Sequence, residues 1–331
     1  MRIVSQITEL QLQHPFKIAR RATDDYRQVI SVEIDGGIGE TAPALFYGET
    51  VQTVRVALET IAPTLPDNLD AIHDVMATVE ATLGGNYAAK SAIDMALHDR
   101  LGKKFGVPLY QLWGLNPHNT PCTSFTIGLD EPGVMAEKTR QAEMYPILKV
   151  KLGTSRDIEI IQTLRDVTDK PIYVDANTAW TPKEAVHKIR ELARYGVELI
   201  EQPTKPNDLA GLKFVQENSE LPIIADESVK RASDIPALAE CVDGINIKLV
   251  KCGGLLEAHR MIHVARTHGL QVMIGCMIES SLGITAAAHL TPLVDYADLD
   301  GNLLIANDPY TGVTLDKGKL ILPNRPGIGV T

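Results

Sequence analysis

The sequence predicts an α/β protein, a closed (β/α) barrel preceded by a small α+β unit, and three observations support that prediction. From about residue 120, short apolar runs alternate with amphipathic segments at a regular pitch, giving eight strand candidates in under 200 residues. The first third has a different texture, strands and then helices, which suits a compact α+β unit. A doubly wound open sheet, the rival architecture, would more readily carry a glycine-rich turn after its first strand. Ile127-Gly128-Leu129-Asp130 is not such a turn.

In chain order, residues 1–9 alternate as a strand, and 29–35 form a second strand that runs into Gly36-Gly37-Ile38-Gly39, read as a hairpin turn. Helical periodicity covers about 51–60, 71–83 and 88–105; in the last, Ala89, Ile93, Ala96 and Leu97 share one face. The barrel strands are then expected at 123–127, 147–151, 172–175, 199–201, 223–226, 245–249, 272–276 and 297–300. This places an α+β domain at 1–118 and a barrel at 119–314, with a tail, 315–331, returning to the first domain.

Bulk properties narrow the function classes. With 331 residues and 44% hydrophobic content the chain can bury a large core. A net charge of −10 without any Lys/Arg run argues against nucleic acid. The four cysteines form no CxxC pair, which reads as reduced thiols in a reducing compartment, the cytoplasm. The N-terminus reads as a strand rather than a signal peptide, and no apolar run approaches the ~18 residues a membrane span needs.

The chemistry lies in where polar residues fall. Strand after strand ends in a charge: Lys149 and Lys151, Asp175, Glu201, Asp226, Lys248, and Asp298 with Asp300. In a barrel the C-terminal strand ends form one rim. Asp175, Glu201 and Asp226 are each one βα repeat from the next, so three consecutive strands deliver a carboxylate apiece. Such anions repel at low dielectric and require a cation; hard oxygen ligands suit Mg2+. Helix capping would explain any one of these carboxylates, but not three in register. Lys149 and Lys151 share a strand face, and Lys248, four strands on, lies across the barrel with Ile245, Ile247 and Leu249 directed outwards. Lys149 beside Lys151 would lower the pKa of a base there.

Lys149-Val-Lys151, Asp175-Ala-Asn177, Glu201-Gln-Pro203, Asp226-Glu-Ser228 and Asn246-Ile-Lys248-Leu-Val-Lys251-Cys-Gly-Gly254 together resemble the enolase superfamily, muconate-lactonizing-enzyme subgroup. Ala92-Ile-Asp-Met-Ala-Leu-His-Asp99, followed by Gly102-Lys103, resembles the end of that family's capping domain. Each motif alone is weak; the ordered set is specific and spans nearly the whole chain. The resemblance implies a modified (β/α)7β TIM-like barrel with an α+β capping domain. It also implies Mg2+ on Asp175, Glu201 and Asp226, Lys151 and Lys248 as the acid–base pair, and Lys149 bonding a substrate carboxylate.

Within the subgroup, Asp298-Leu-Asp300 puts two carboxylates on one face, a clamp for an ammonium group. It resembles the dipeptide-epimerase signature, L-Ala-D/L-Glu epimerases among them. Muconate cycloisomerases, o-succinylbenzoate synthases and N-acylamino-acid racemases are the alternatives. Gly275-Cys276-Met277-Ile278-Glu279-Ser280 resembles the dipeptide-epimerase version of that segment, implying a substrate contact at Cys276, and Thr126 matches a substrate-binding threonine. Pro15-Phe16-Lys17 with Arg20-Arg21 is assigned to a mobile capping loop. Arg21 aligns best with the arginine that pairs with a substrate glutamate, and Arg20 competes for that register. Asp175-Ala-Asn-Thr-Ala-Trp180 departs from the common Gln-Gly-Trp ending. The expected partner is a small dipeptide, and the resemblance allows a homo-oligomer. His259 and His263, one helical turn apart, lack the intervening glutamate of a metal helix, and Gly253-Gly254 reads as a tight turn, not a phosphate cradle.

Overall fold

The computed structural model describes residues 3–19 and 21–331, with residues 21–24 described by their backbone. The first unit is an antiparallel sheet in the order β1 (Val4–Ile18), β2 (Arg21–Ile34), β3 (Gly37–Thr41). Asp35 and Gly36, with φ of 47° and 80°, turn β2 into β3; positive φ at both central positions matches the twist of the flanking strands. The β1–β2 ribbon extends past both expected strands. Residues 15–18, assigned to the capping loop, continue β1, because Phe16 and Ile18 keep its period-two alternation. Register shifts between Gln11 and Phe16 and between Phe16 and Ile18 bend the ribbon. Towards the end of β1 the ribbon meets the barrel, with the Leu129 amide donating to Lys17 O at 3.0 Å.

Three helices back this sheet: α1 (Val51–Ile61), α2 (Ile72–Thr82) and α3 (Tyr87–Phe105). Ile30, Val32 and Ile34 of β2 bury against Val54, Leu58, Val75, Val79 and Ile93. The glycines of β3 let α3 lie directly on the strand. A Cβ at Gly39 would come within 2.1 Å of Ala92 O, and one at Gly37 within 2.0 Å of Ala96 O. The other side of α3 meets the barrel, where Asp94 accepts from the amides of Leu255 and Leu256 at a helix start. Packed on both sides, α3 is buried nearly all round.

Eight parallel strands follow in sequential order: β4 (Phe125–Ile127), β5 (Leu148–Lys151), β6 (Ile172–Asp175), β7 (Val197–Glu201), β8 (Ile223–Ala225), β9 (Gly244–Ile247), β10 (Gln271–Gly275) and β11 (Tyr296–Asp298). The first and last meet through a single bridge, Thr123 to Ala297, reinforced by Ser124 N donating to Ala297 O at 3.0 Å. The sheet is therefore a nearly closed barrel. Asp226, Lys248 and Asp300 fall just past the strand ends. Lys248 begins the short helix Leu249–Cys252, so Leu249 is helical and not an outward strand residue.

A short hairpin, β12 (Thr314–Asp316) and β13 (Lys319–Ile321), follows the barrel, with Lys319 bridging to Cys122. Beyond it Gly327 pairs with Pro108, and the Ile328 amide donates to Asp99 of α3 at 2.8 Å. The last residues thus touch both units. Among the described residues no helix is long and apolar enough to cross a membrane.

Candidate active site

Alternation along the barrel strands builds the site. Val150, Val174, Ile200, Ala225 and Ile247 join the core beneath the outer helices. Tyr173, Leu199, Ile224 and Met273 form a separate buried layer that fills the barrel interior. One step further along three of these strands, the inward positions become Asp175, Glu201 and Asp226. Register places Lys151 opposite Asp175 and Asp175 opposite Glu201, giving one row across three strands. All three carboxylates are fully buried.

Lysines interleave with them. Lys151 Nζ lies 2.6 Å from Asp175 Oδ2, and Lys248 Nζ lies 2.9 Å from Asp226 Oδ2. Lys251 reaches Asp226 Oδ1 at 2.5 Å and three backbone carbonyls besides. Burial alone would lower Lys248, but Asp226 and Glu201 outweigh it and hold its ammonium above the ordinary lysine range. Burial, offset by the same lysine and by Lys251, leaves Asp226 well below the usual carboxylate range. Glu201 behaves differently. Burial pushes it up to about 7 against the pull of Lys149, with Asp175 and Asp226 adding repulsion.

Lys149, expected to bond the substrate carboxylate, does not line the cavity. It sits two residues deeper in β5, about 6.5 Å along the strand and one layer below Lys151. There its ammonium lies 2.6 Å from both Glu201 Oε2 and Asp298 Oδ2 and 3.6 Å from Asp175 Oδ2. Burial opposes its charge, and the three carboxylates more than restore it.

The donor set suits an oxygen-seeking dication. It offers three carboxylates on adjacent strands, and the buried Glu201 Oε2 is met by the Lys149 ammonium at 2.6 Å without an oriented hydrogen bond. Among the described residues no three acidic, His or Cys side chains converge closely enough to enclose an ion as they stand. Each carboxylate is drawn to a lysine instead, as the local charge balance requires.

Above this row opens a cavity of about 420 Å3. Lys151 and Lys248 reach it from β5 and from the end of β9, the second and sixth barrel strands, with Asp226 and Asn177 beside them. Thr126, Cys276, Asp298 and Asp300 line the side near the β4–β11 seam. Asp298 is already engaged by Lys149 and by Ser124 Oγ at 2.7 Å, whereas Asp300 accepts from the Thr126 amide at 2.6 Å. Burial and the neighbouring Asp298 raise Asp300 to about 6. Cys276 Sγ contacts Asp298 O at 3.2 Å. Arg20 and the side chain of Arg21 lie outside the described residues. The first unit supplies the lid: Phe16, Ile18, Arg27 and Gln28 from the ribbon, and Ala42–Tyr47 after β3. Leu45 and Phe46 are exposed at the mouth, 74% and 47%.

The stretch 42–47 and Arg27 were not singled out from the sequence, because nothing in their local pattern says that the ribbon folds over a barrel more than 100 residues away. Asn177, Gln202 and Lys251 were visible only as letters inside motifs. Asn177 binds Asp175 through its amide at 2.8 Å and its side chain at 3.1 Å, with φ at 45°.

Comparison with known proteins agrees with this geometry. Residues 134–331 match the enolase C-terminal domain-like family, and residues 2–114 match the mandelate racemase/muconate lactonizing enzyme N-terminal domain. An L-Ala-D/L-Glu epimerase of Bacteroides thetaiotaomicron is 44% identical over 97% of this chain and 85% of its own length. A solved dipeptide epimerase from Enterococcus faecalis, in complex with Mg and L-Leu-L-Tyr, superposes with a TM-score of 0.93 at 37% identity, over 99% of this chain and 98% of that one. A substrate-liganded L-Ala-D/L-Glu epimerase from Bacillus subtilis gives 0.93 at 34% identity, over 100% and 98%.

Proposed function

Because the chain belongs to the mandelate racemase/muconate lactonizing enzyme family, we propose that it is a Mg2+-dependent dipeptide epimerase that inverts the α-carbon of the C-terminal residue. The observation that carries the reading is the pair of lysines, Lys151 and Lys248, entering one cavity from opposite strands above a row of three carboxylates. Asp175, Glu201 and Asp226 would hold the ion, which supplies positive charge to the substrate carboxylate as the α-carbon becomes anionic. One lysine, in its neutral form, takes the α-proton, and the other, as ammonium, returns a proton to the opposite face. A 1,1-transfer of this kind needs a base on each side of the carbon, which the barrel's second and sixth strands provide.

Lys149 serves beneath as counter-ion to Glu201 and Asp298. Asp300, with Asp298 behind it, would receive the dipeptide's ammonium group, a partner that a muconate or a succinylbenzoate does not offer. Thr126 and Cys276 border that position, and the lid residues enclose the side chains and exclude water. Arg27 brings a cation to the wall, so L-Ala-L-Glu is the first dipeptide to test; the relative of highest identity among those named above is an L-Ala-D/L-Glu epimerase. Incubating a dipeptide panel with enzyme and Mg2+ in D2O should place deuterium at the C-terminal α-carbon and generate the second diastereomer. Absence of exchange across the whole panel would falsify the proposal.

A further inference from the structure

We infer that Gln202 is a positioning residue that fixes the spacing of the carboxylates on three successive strands. The inference rests on the proposed metal-binding role of Asp175, Glu201 and Asp226, and not on which dipeptide is turned over.

Gln202 follows Glu201 directly and is fully buried, yet it has no contact of its own with the cavity. Its backbone is left-handed, φ 37°, a conformation in which a non-glycine residue is uncommon. That turn sends its side chain to the neighbouring strand end. There Oε1 accepts from the Asp226 amide at 2.9 Å and the Ser228 amide at 3.1 Å. Nε2 donates to Thr204 O at 2.9 Å and to Ser228 Oγ at 2.8 Å. An amide side chain has two acceptor sites and two donors, and here all four are used. On the other side, Gln202 O accepts from Thr178 N at 2.9 Å, and Gln202 N donates to Ile224 O at 2.9 Å. Thr178, two residues past the Asp175-Ala176 pair, is itself left-handed at φ 69°, a costly conformation for a β-branched residue.

Strain of this kind persists where the surroundings over-determine it. Here it coincides with the loops that follow the first two carboxylates, and Gln202 ties both to the third. Beside that tie, the mutual repulsion of the three buried anions is resisted by the lysines, by Asn177 on Asp175 and by Asn246 on Glu201, none of which joins the ends of all three strands. A group that orients metal ligands without touching the metal is worth about 10- to 100-fold in metal affinity.

The test uses the full-length protein with Mn2+ as probe, titrated directly without substrate, and thermal unfolding recorded alongside. Gln202→Met keeps the size and charge of the side chain while removing all four hydrogen bonds. It should weaken Mn2+ binding by about 10- to 100-fold at temperatures well below its own unfolding transition. Ser228→Ala, a milder change that removes one Nε2 partner, should shift the affinity in the same direction by less. A purely structural role would lower the unfolding temperature and leave the affinity of the folded protein unchanged; that result overturns the inference. Should Gln202→Met not fold, an unchanged affinity in Ser228→Ala overturns it equally. A wild-type protein that binds no Mn2+ would overturn the metal assignment itself, whereas wild-type binding with unaltered variants overturns the role of Gln202 alone.

Discussion

At the residue scale, the two lysines differ from an ordinary acid–base pair in how strongly each is held. Lys151 and Lys248 are each paired with a carboxylate within 3 Å, so a base becomes available only as that pairing is relaxed. Removing one lysine should therefore abolish epimerisation, by about 10²- to 10⁴-fold, without abolishing every partial reaction. Lys151→Ala should still exchange the α-proton of one diastereomer in D2O, and Lys248→Ala that of the other, as read by NMR. Equal loss of exchange from both diastereomers in both variants would argue against two opposed bases. Asp300→Asn tests the other end of the substrate. Losing one charge-assisted hydrogen bond costs about 2 kcal/mol, so kcat/KM for a dipeptide should fall roughly 30-fold, while an N-acetylated analogue should lose little. These strand-end charges could be read from the sequence because alternation and a regular pitch fix which side chains face inward. Asn177 and Gln202 could not, since a positive φ leaves no trace in a hydrophobic pattern. Lys149 was read as a partner of the substrate carboxylate; it stands two residues deeper than Lys151, and its ammonium meets Glu201 and Asp298, a pairing across strands that spacing along one strand does not reveal.

At the element scale, the contact between β3 and the helix Ser281–Ala288 couples the two units. Glu40 of β3 accepts from the Ser280 amide at 2.9 Å and its hydroxyl at 2.6 Å, at the helix N-terminus. Burial raises this carboxyl to about 8, Ser280 pulling it down and Glu279 and Asp308 pushing it up. A carboxyl whose folded pKa exceeds its unfolded value binds its proton more tightly when folded. Its contribution is therefore complete below about pH 4.5 and is lost as pH rises towards 8. Stability measured by urea unfolding should decline over that interval by up to about 1.4 kcal/mol per pH unit from this group, and Glu40→Gln should flatten the decline. Burial also raises Glu279, to about 7, so a residual slope between about pH 4.5 and 7 should survive in the variant. A slope identical to wild type would show that Glu40 does not titrate there. The ribbon end is where reading by element failed. Pro15 and the paired arginines look like a loop, whereas the alternation of Phe16 and Ile18 continues the strand.

At the scale of the whole molecule, the barrel class and its eight strands were legible because each βα repeat repeats the same signal. The seating of the first unit as a cap over the barrel mouth followed from the family resemblance alone. Its key contacts join residues some 240 positions apart, as between Glu40 and Ser280, and no local pattern encodes such a pairing. An ion that binds only the folded arrangement must stabilise all of it. Mg2+ at about 100 times its dissociation constant should add about 2.7 kcal/mol to unfolding, measured by denaturation with and without EDTA, and Asp226→Asn should erase the difference. The barrel's one imperfect join has a different kind of consequence. β11 has a full ladder with β10 on one side and a single bridge to Thr123 on the other, and it carries Asp298, with Asp300 just beyond. Lys151 and Lys248, the lysines proposed to move the proton, belong to β5 and to the end of β9, well within the continuous sheet. The two sets of residues therefore stand on different strands, joined through Lys149, which pairs with Asp298 on one side and Glu201 on the other. For anyone re-tooling this catalyst, the stretch around β11 is the cartridge to swap, provided the transplant keeps Asp298, whose ion pair with Lys149 ties that border to Glu201.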